Sequence, residues 1–147
     1  MPFALEQLSQ GLTVLKQLPS QSLGTGTDTT LTGIDMSKVR RLLVVLNIGA
    51  VGAGPGTVDA KFRCATTSGG TYQDVSGGAI TQVSASNKVV TMELRDDQLP
   101  AGYQFVQVSI TIGTNAVLIG GVALGGEAES KPAKSQDSAA VAQRLVV

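Results

Sequence analysis

Apolar and polar residues alternate without a break from Thr57 to Cys64. Val58, Ala60, Phe62 and Cys64 fall on one face; Asp59, Lys61 and Arg63 fall on the other. That two-residue period predicts a strand with one face buried and one in water. Two more segments share it. Val90, Met92 and Leu94 alternate with Thr91, Glu93 and Arg95, and Val106, Val108, Ile110 and Ile112 alternate with Gln107, Ser109 and Thr111. Residues 41–48 differ. Leu42, Val44, Leu46 and Ile48 share one face, but Leu43 and Val45 occupy the other. A strand apolar on both faces needs cover on both.

Residues 117–124 predict a last strong strand, in which Gly120 and Gly121 signal a bulge or a close backbone contact. Shorter strands are expected at 31–35, 72–75 and 79–83. Glycine-rich breaks at 68–71 and 76–78 separate them, and 96–102 reads as a turn or one short helical turn. The 57–64 strand is the expected hairpin partner of 41–48, across the glycine-rich stretch 49–56. Together these segments predict an all-β chain, an antiparallel β-sandwich of about eight strands, with a jelly-roll-like arrangement as one form of it.

The ends follow other patterns. Leu5, Leu8, Leu12 and Leu15 sit at helical spacing within residues 3–18, but Gly11, Thr13 and Val14 oppose a helix. A helix and an extended arm laid on a neighbour are equal readings. Residues 19–30 are a polar Gly/Ser/Thr connector. After Glu127 the chain is polar, then ends on Leu145, Val146 and Val147. An apolar terminus after a polar spacer is expected to dock on its own sandwich or on a neighbouring subunit. The expected division is therefore an arm and linker at 1–29, a sandwich at 30–128 and a docking tail at 129–147.

Composition narrows the chemistry. A chain of 147 residues is one domain by length. With no histidine, the commonest general base and the usual nucleophile triads are missing, so an enzyme is not expected. Eleven basic and eleven acidic residues balance, with no basic stripe, so nucleic acid is not an expected partner. No polybasic cluster or long apolar run points to a membrane. Met1 to Glu6 lacks the charged start and apolar core of a secretory signal. Cys64 cannot form an intramolecular disulfide and reads as a small core residue.

Other candidates have bland readings that weigh more. Gly49 to Gly56 follows an apolar strand, but no helix and no phosphate-loop lysine come after it. Glu93, Asp96 and Asp97 lack calcium-loop spacing. Arg40 and Arg41 read as a solvated pair. Tyr72 and Tyr103 read as packing against turns. No cofactor and no metal are expected.

Several stretches carry a family resemblance. These are residues 34–45, Gly56 to Lys61, and Thr66 to Val75 with its Ser68-Gly69-Gly70-Thr71-Tyr72. Arg95 to Gly102 and Ala123 to Ala128 complete it. Together they resemble small structural proteins of tailed bacteriophages and prophages. The likeness covers residues 30–147 and consists of turn and strand patterns. It implies a virion protein of the capsid decoration, or cement, type, made in the bacterial host cytoplasm and placed on the outer capsid surface. Its implied partner is the major capsid protein or another virion protein, and its implied state a homo-oligomer, with a trimer favoured. Expected contacts are Phe3, Leu5, Leu8, Leu12 and Leu15 on the shell. Leu43, Val45, Leu145, Val146 and Val147 are expected in self-association. A neck, tail or head-fibre component is the alternative within the virion. A carbohydrate-binding β-sandwich is the alternative of another class, but such sites usually need exposed aromatics, and aromatics are 3% of this chain.

Overall fold

The computed structural model describes residues 8–128, 137, 139–143 and 145. Among these residues, a helical turn, α1 (Leu8–Gly11), leads into nine strands: β1 (Leu12–Leu23), β2 (Gly26–Asp28), β3 (Ile34–Asp35), β4 (Val39–Ile48), β5 (Thr57–Ala65), β6 (Gln73–Ala79), β7 (Lys88–Arg95), β8 (Phe105–Gly113) and β9 (Val117–Ala128). One 3₁₀ turn, Asp96–Gln98, joins β7 towards β8. The alternating segments became β5, β7 and β8, and the two-faced segment became β4.

Two antiparallel sheets pack face to face as a β-sandwich. One has the order β1-β9-β4-β7; the other has β2-β8-β5-β6, with β3 also on β8. The pairs are nested. Strand β1 pairs β9, β2 and β3 pair β8, β4 pairs β7, and β5 pairs β6. The first half of the chain thus lies antiparallel to the second half in reverse order. The doubled ribbon then wraps so that β9 meets β4 and β8 meets β5. This is jelly-roll connectivity.

The core fills the space between the sheets. Leu42, Val44, Leu46 and Ile48 of β4 face Val58, Ala60, Phe62 and Cys64 of β5 and Val106, Val108, Ile110 and Ile112 of β8. Each is at most 3% exposed, so burial contributes about 1.5–3 kcal/mol for each large aliphatic. Leu31, fully buried between β2 and β3, accepts a hydrogen bond from the Val108 N–H through its carbonyl, at 2.8 Å.

Two expectations are corrected. Strands β4 and β5 are not a hairpin. The loop between them carries the chain from one sheet to the other, since among the described residues β4 pairs β7 and β9 while β5 pairs β6 and β8. That loop is packed: the Asn115 amide donates to the Gly54 carbonyl at 2.7 Å, and a Cβ on Gly56 would lie 2.6 Å from the Asn115 carbonyl oxygen. Residues 12–28, expected as arm and linker, supply two strands of the sandwich. Strand β1 pairs β9 from Leu12 to Leu23, and Leu18 is 1% exposed in the core. The polar residues of 19–23 masked this, because an edge strand can remain wet on one side.

Candidate interaction surface

Strand parity decides what each outer face carries. In the four-stranded sheet, Leu43 stands beside Leu124 on β9 and Glu93 on β7; Val45 stands beside Val122 and Thr91. Val14 continues the first row and Gln17 the second. Leu12 lies on the same side, opposite Gly126. Six aliphatic residues on three adjacent strands therefore form one outer patch: Leu12, Val14, Leu43, Val45, Val122 and Leu124. All six are half-buried.

The patch extends to more exposed residues. Leu118 of β9 has the same parity and is 49% exposed, and Val89 of β7, opposite Asn47, is 63% exposed. A charged rim closes one end. Arg41 Nε lies 3.3 Å from a Glu127 carboxylate oxygen, Arg41 also reaches Glu93 at 4.0 Å, and Arg95 Nε pairs Asp97 at 3.2 Å. All these ion pairs are more than half exposed, so each adds little stability.

The opposite outer face is polar. Asp59, Lys61 and Arg63 of β5 lie beside Thr111, Ser109 and Gln107 of β8. Lys61 Nζ donates to Asp74 at 2.8 Å, Arg63 Nε donates to the same carboxylate at 3.1 Å, and the Gln82 amide donates to Asp59 at 2.7 Å. The Lys61 hydrogen bond, with the charge of Arg63 beside it, holds the Asp74 carboxyl below its ordinary value. Every charge there has an internal partner of opposite sign or an amide, an arrangement suited to water.

The remaining candidates fall into place. Leu8, in α1, is 81% exposed, and Leu145 is 76% exposed. Leu15 is half-buried and packs against the core. Its spacing with Leu12 arises on a bulged strand, not on a helix face, because β1 shifts register between Val14 and Lys16. Phe3, Leu5, Val146 and Val147 lie outside the described residues. The contribution of Val14, Val122 and Leu124 was missed from sequence, although residues 117–124 were read as a strand: one strand's alternation does not name its neighbours.

Among the described residues, no group of three or more His, Cys, Asp and Glu could hold a metal ion. Asp96 and Asp97 sit in the 3₁₀ turn, where the Gln98 side-chain oxygen accepts from the Arg95 N–H at 2.9 Å. Among the described residues, no helix is long and apolar enough to cross a membrane. A cleft of about 230 Å³ opens between β6 and β7, lined by Phe62, Met92, Leu94 and Ser76 to Gly78; Glu93 is the one ionisable residue among the described residues that line it. No family model matches the chain, and no curated protein matches its sequence.

Proposed function

We propose that this protein is a structural component of a tailed-phage virion that decorates and stabilises the capsid. Its apolar outer sheet face is the contact surface. The observation that carries this reading is the asymmetry of the two faces. One presents Leu118, Val89 and the six-residue aliphatic patch; the other presents Asp59, Lys61 and Arg63, each already held by a partner within the chain. Monomers that live in water rarely keep large contiguous apolar patches. The resemblance of residues 30–147 to small phage structural proteins supplies the kind of partner, a capsid shell or a neighbouring copy. Several modest contacts made at once by an oligomer give tight occupancy with no single strong site.

Co-sedimentation with capsids of the encoding phage tests the reading. The wild-type chain pellets with the particles. A double variant, Val89→Glu and Leu118→Glu, stays in the supernatant while its circular dichroism remains that of the folded chain. Both residues are exposed, so the fold tolerates the change. A wild-type chain that stays in the supernatant, or a double variant that pellets equally, overturns the assignment.

A further inference from the structure

Among the described residues the two sheets have four edges, and an edge strand is a template for another strand. Three of the edges carry features that discourage pairing. Strand β1 breaks register twice, with Pro19 inside the second break. Strand β2 is three residues long. Strand β6 breaks register against β5, and Gly77 within it has a φ of +71°. Bulges, proline and short length all blunt an edge. Strand β7 has none of these. It pairs β4 over eight consecutive residues, Lys88 to Arg95, with no shift in register. It holds no glycine or proline, and its one lysine stands at its start.

The direction of its backbone groups follows from its two ends. The Arg95 N–H donates to the Gln98 side chain at 2.9 Å rather than to β4. Backbone groups alternate in direction along a strand, so Glu93, Thr91 and Val89 also turn theirs away from β4. The other end agrees. The Gly49 N–H donates to Leu118 of β9 at 2.7 Å, so the Ile48 carbonyl points the opposite way, towards its partner Lys88. Lys88, Val90, Met92 and Leu94 therefore complete the ladder with β4. Val89, Thr91 and Glu93 present their N–H and C=O groups at the edge, where they have no backbone partner among the described residues. All three side chains are exposed. The cleft lined by Phe62, Met92 and Leu94 lies beside the same edge.

We propose that β7 is a docking site for β7 of a second copy, paired antiparallel about a two-fold axis at Thr91. The occupant follows from the fit of this edge to itself. Centring the pair on Thr91 sets Thr91 against Thr91 and sets Val89 against Glu93 twice. The three outward residues of each copy are all used, and Arg95, whose N–H is already engaged, is not required. No like charges stand opposite each other. The two threonine side chains meet at the axis, and Val90 meets Met92 on the inner side. On the outer side, Val122, Val45 and Thr91 form one row across β9, β4 and β7, and the seam continues that row into its counterpart. Two four-stranded sheets thereby join as one of eight strands, with both aliphatic patches on a single face. This inference does not depend on the capsid reading.

Charge exchange at Thr91 tests it. Light scattering after size exclusion, at raised protein concentration and low salt, gives the mass of the wild-type chain. Thr91→Lys and Thr91→Glu each set like charges face to face at the axis, and each runs at half the wild-type mass. Mixed in equal amounts, the two variants recover the wild-type mass, because lysine then faces glutamate. A wild-type chain with the mass of one copy overturns the proposal. So do single variants that keep the wild-type mass, and so does a mixture that stays at half. Hydrogen exchange on the wild-type chain gives a second reading that needs no variant to fold. The N–H groups of Val89, Thr91 and Glu93 are protected at high concentration and exchange rapidly on dilution. Rapid exchange at every concentration overturns the pairing. No capsid enters either measurement, so failure here is separate from failure of the decoration reading.

Discussion

Gly121 faces Leu46 across the β4–β9 ladder with no room for a methyl group: a Cβ there would lie 2.7 Å from the Val45 carbonyl oxygen and 2.8 Å from Leu46 Cδ2. Leu46 is fully buried, so it has little space to retreat. Its neighbour Gly120 is crowded from the other side, where a Cβ would meet Ser20 Oγ at 2.7 Å beside the bulge in β1. The glycine pair lets β9 lie close to both of its neighbours.

Gly121→Ala therefore destabilises the chain, by about 1–3 kcal/mol, the usual cost of overpacking. Gly69→Ala is the control, because a Cβ at Gly69 meets nothing within 4 Å. Urea titrations of both variants check this. Equal midpoints would refute the close approach.

Adjacent residues on β4 have opposite fates. Leu42 is fully buried, while Leu43 lies half-buried on the outer patch. Leu42→Ala costs about 2–5 kcal/mol through lost transfer energy and a cavity. Leu43→Ala costs about 1 kcal/mol, since it had less surface to lose. Thermal melts of the two variants side by side measure the difference.

Thr13 is 2% exposed, and its Oγ1 has no hydrogen-bond partner among the described residues. A buried orphan hydroxyl is a cost that valine, of the same shape, does not carry. Thr13→Val stabilises the fold by about 1 kcal/mol. A denaturation midpoint at or below the wild-type value would show that the hydroxyl is satisfied in solution.

Asp35 stabilises a turn before β4. Burial pushes its carboxyl up, but the Ser37 hydroxyl and N–H, the Gln104 amide and the charge of Lys38 outweigh this and hold it below its ordinary value of 3.8. Asp74 is held low by Lys61 and Arg63. A carboxyl whose folded pKa is depressed adds stability that is complete above its unfolded pKa. That stability fades as pH falls through the folded value. Unfolding midpoints therefore hold steady near neutrality and drop below about pH 3.9. Asp35→Asn has a shallower drop in the same window. A variant with the wild-type slope would place the acid sensitivity elsewhere.

Cys64 is fully buried, and burial pushes its thiol above its ordinary value, against a smaller opposing hydrogen bond with Gln73. A thiol that is both covered and protonated is a poor nucleophile. Ellman's reagent leaves it unmodified in the native chain and titrates one thiol in denaturant. Rapid labelling without denaturant would mean that the core around β5 opens.

Strand existence was legible where one face meets core and the other meets water. Strands β5, β7 and β8 show it, because each residue's polarity records only its own environment. The same locality explains the misses. Strand β1 carries Lys16, Gln17, Ser20, Gln21 and Ser22 because it lies at an edge, so it resembled a linker. The loop from β4 to β5 resembled a hairpin because glycines permit both a tight turn and a crossover. The outer patch was half visible. Leu43 and Val45 announced a second apolar face, while Val14, Val122 and Leu124 joined them only once β1, β9 and β4 were neighbours.

By itself, the sequence determined the fold class, the alternation of β5, which residues of β4 face inward, and the burial of Cys64. Each follows from side-chain period and hydrophobicity along a few consecutive residues. The tertiary structure alone decided the nested pairing, the place of β1 beside β9 and the patch on one outer face. These join residues distant along the chain through backbone hydrogen bonds, which are chemically the same at every position and leave no mark in the order of side chains.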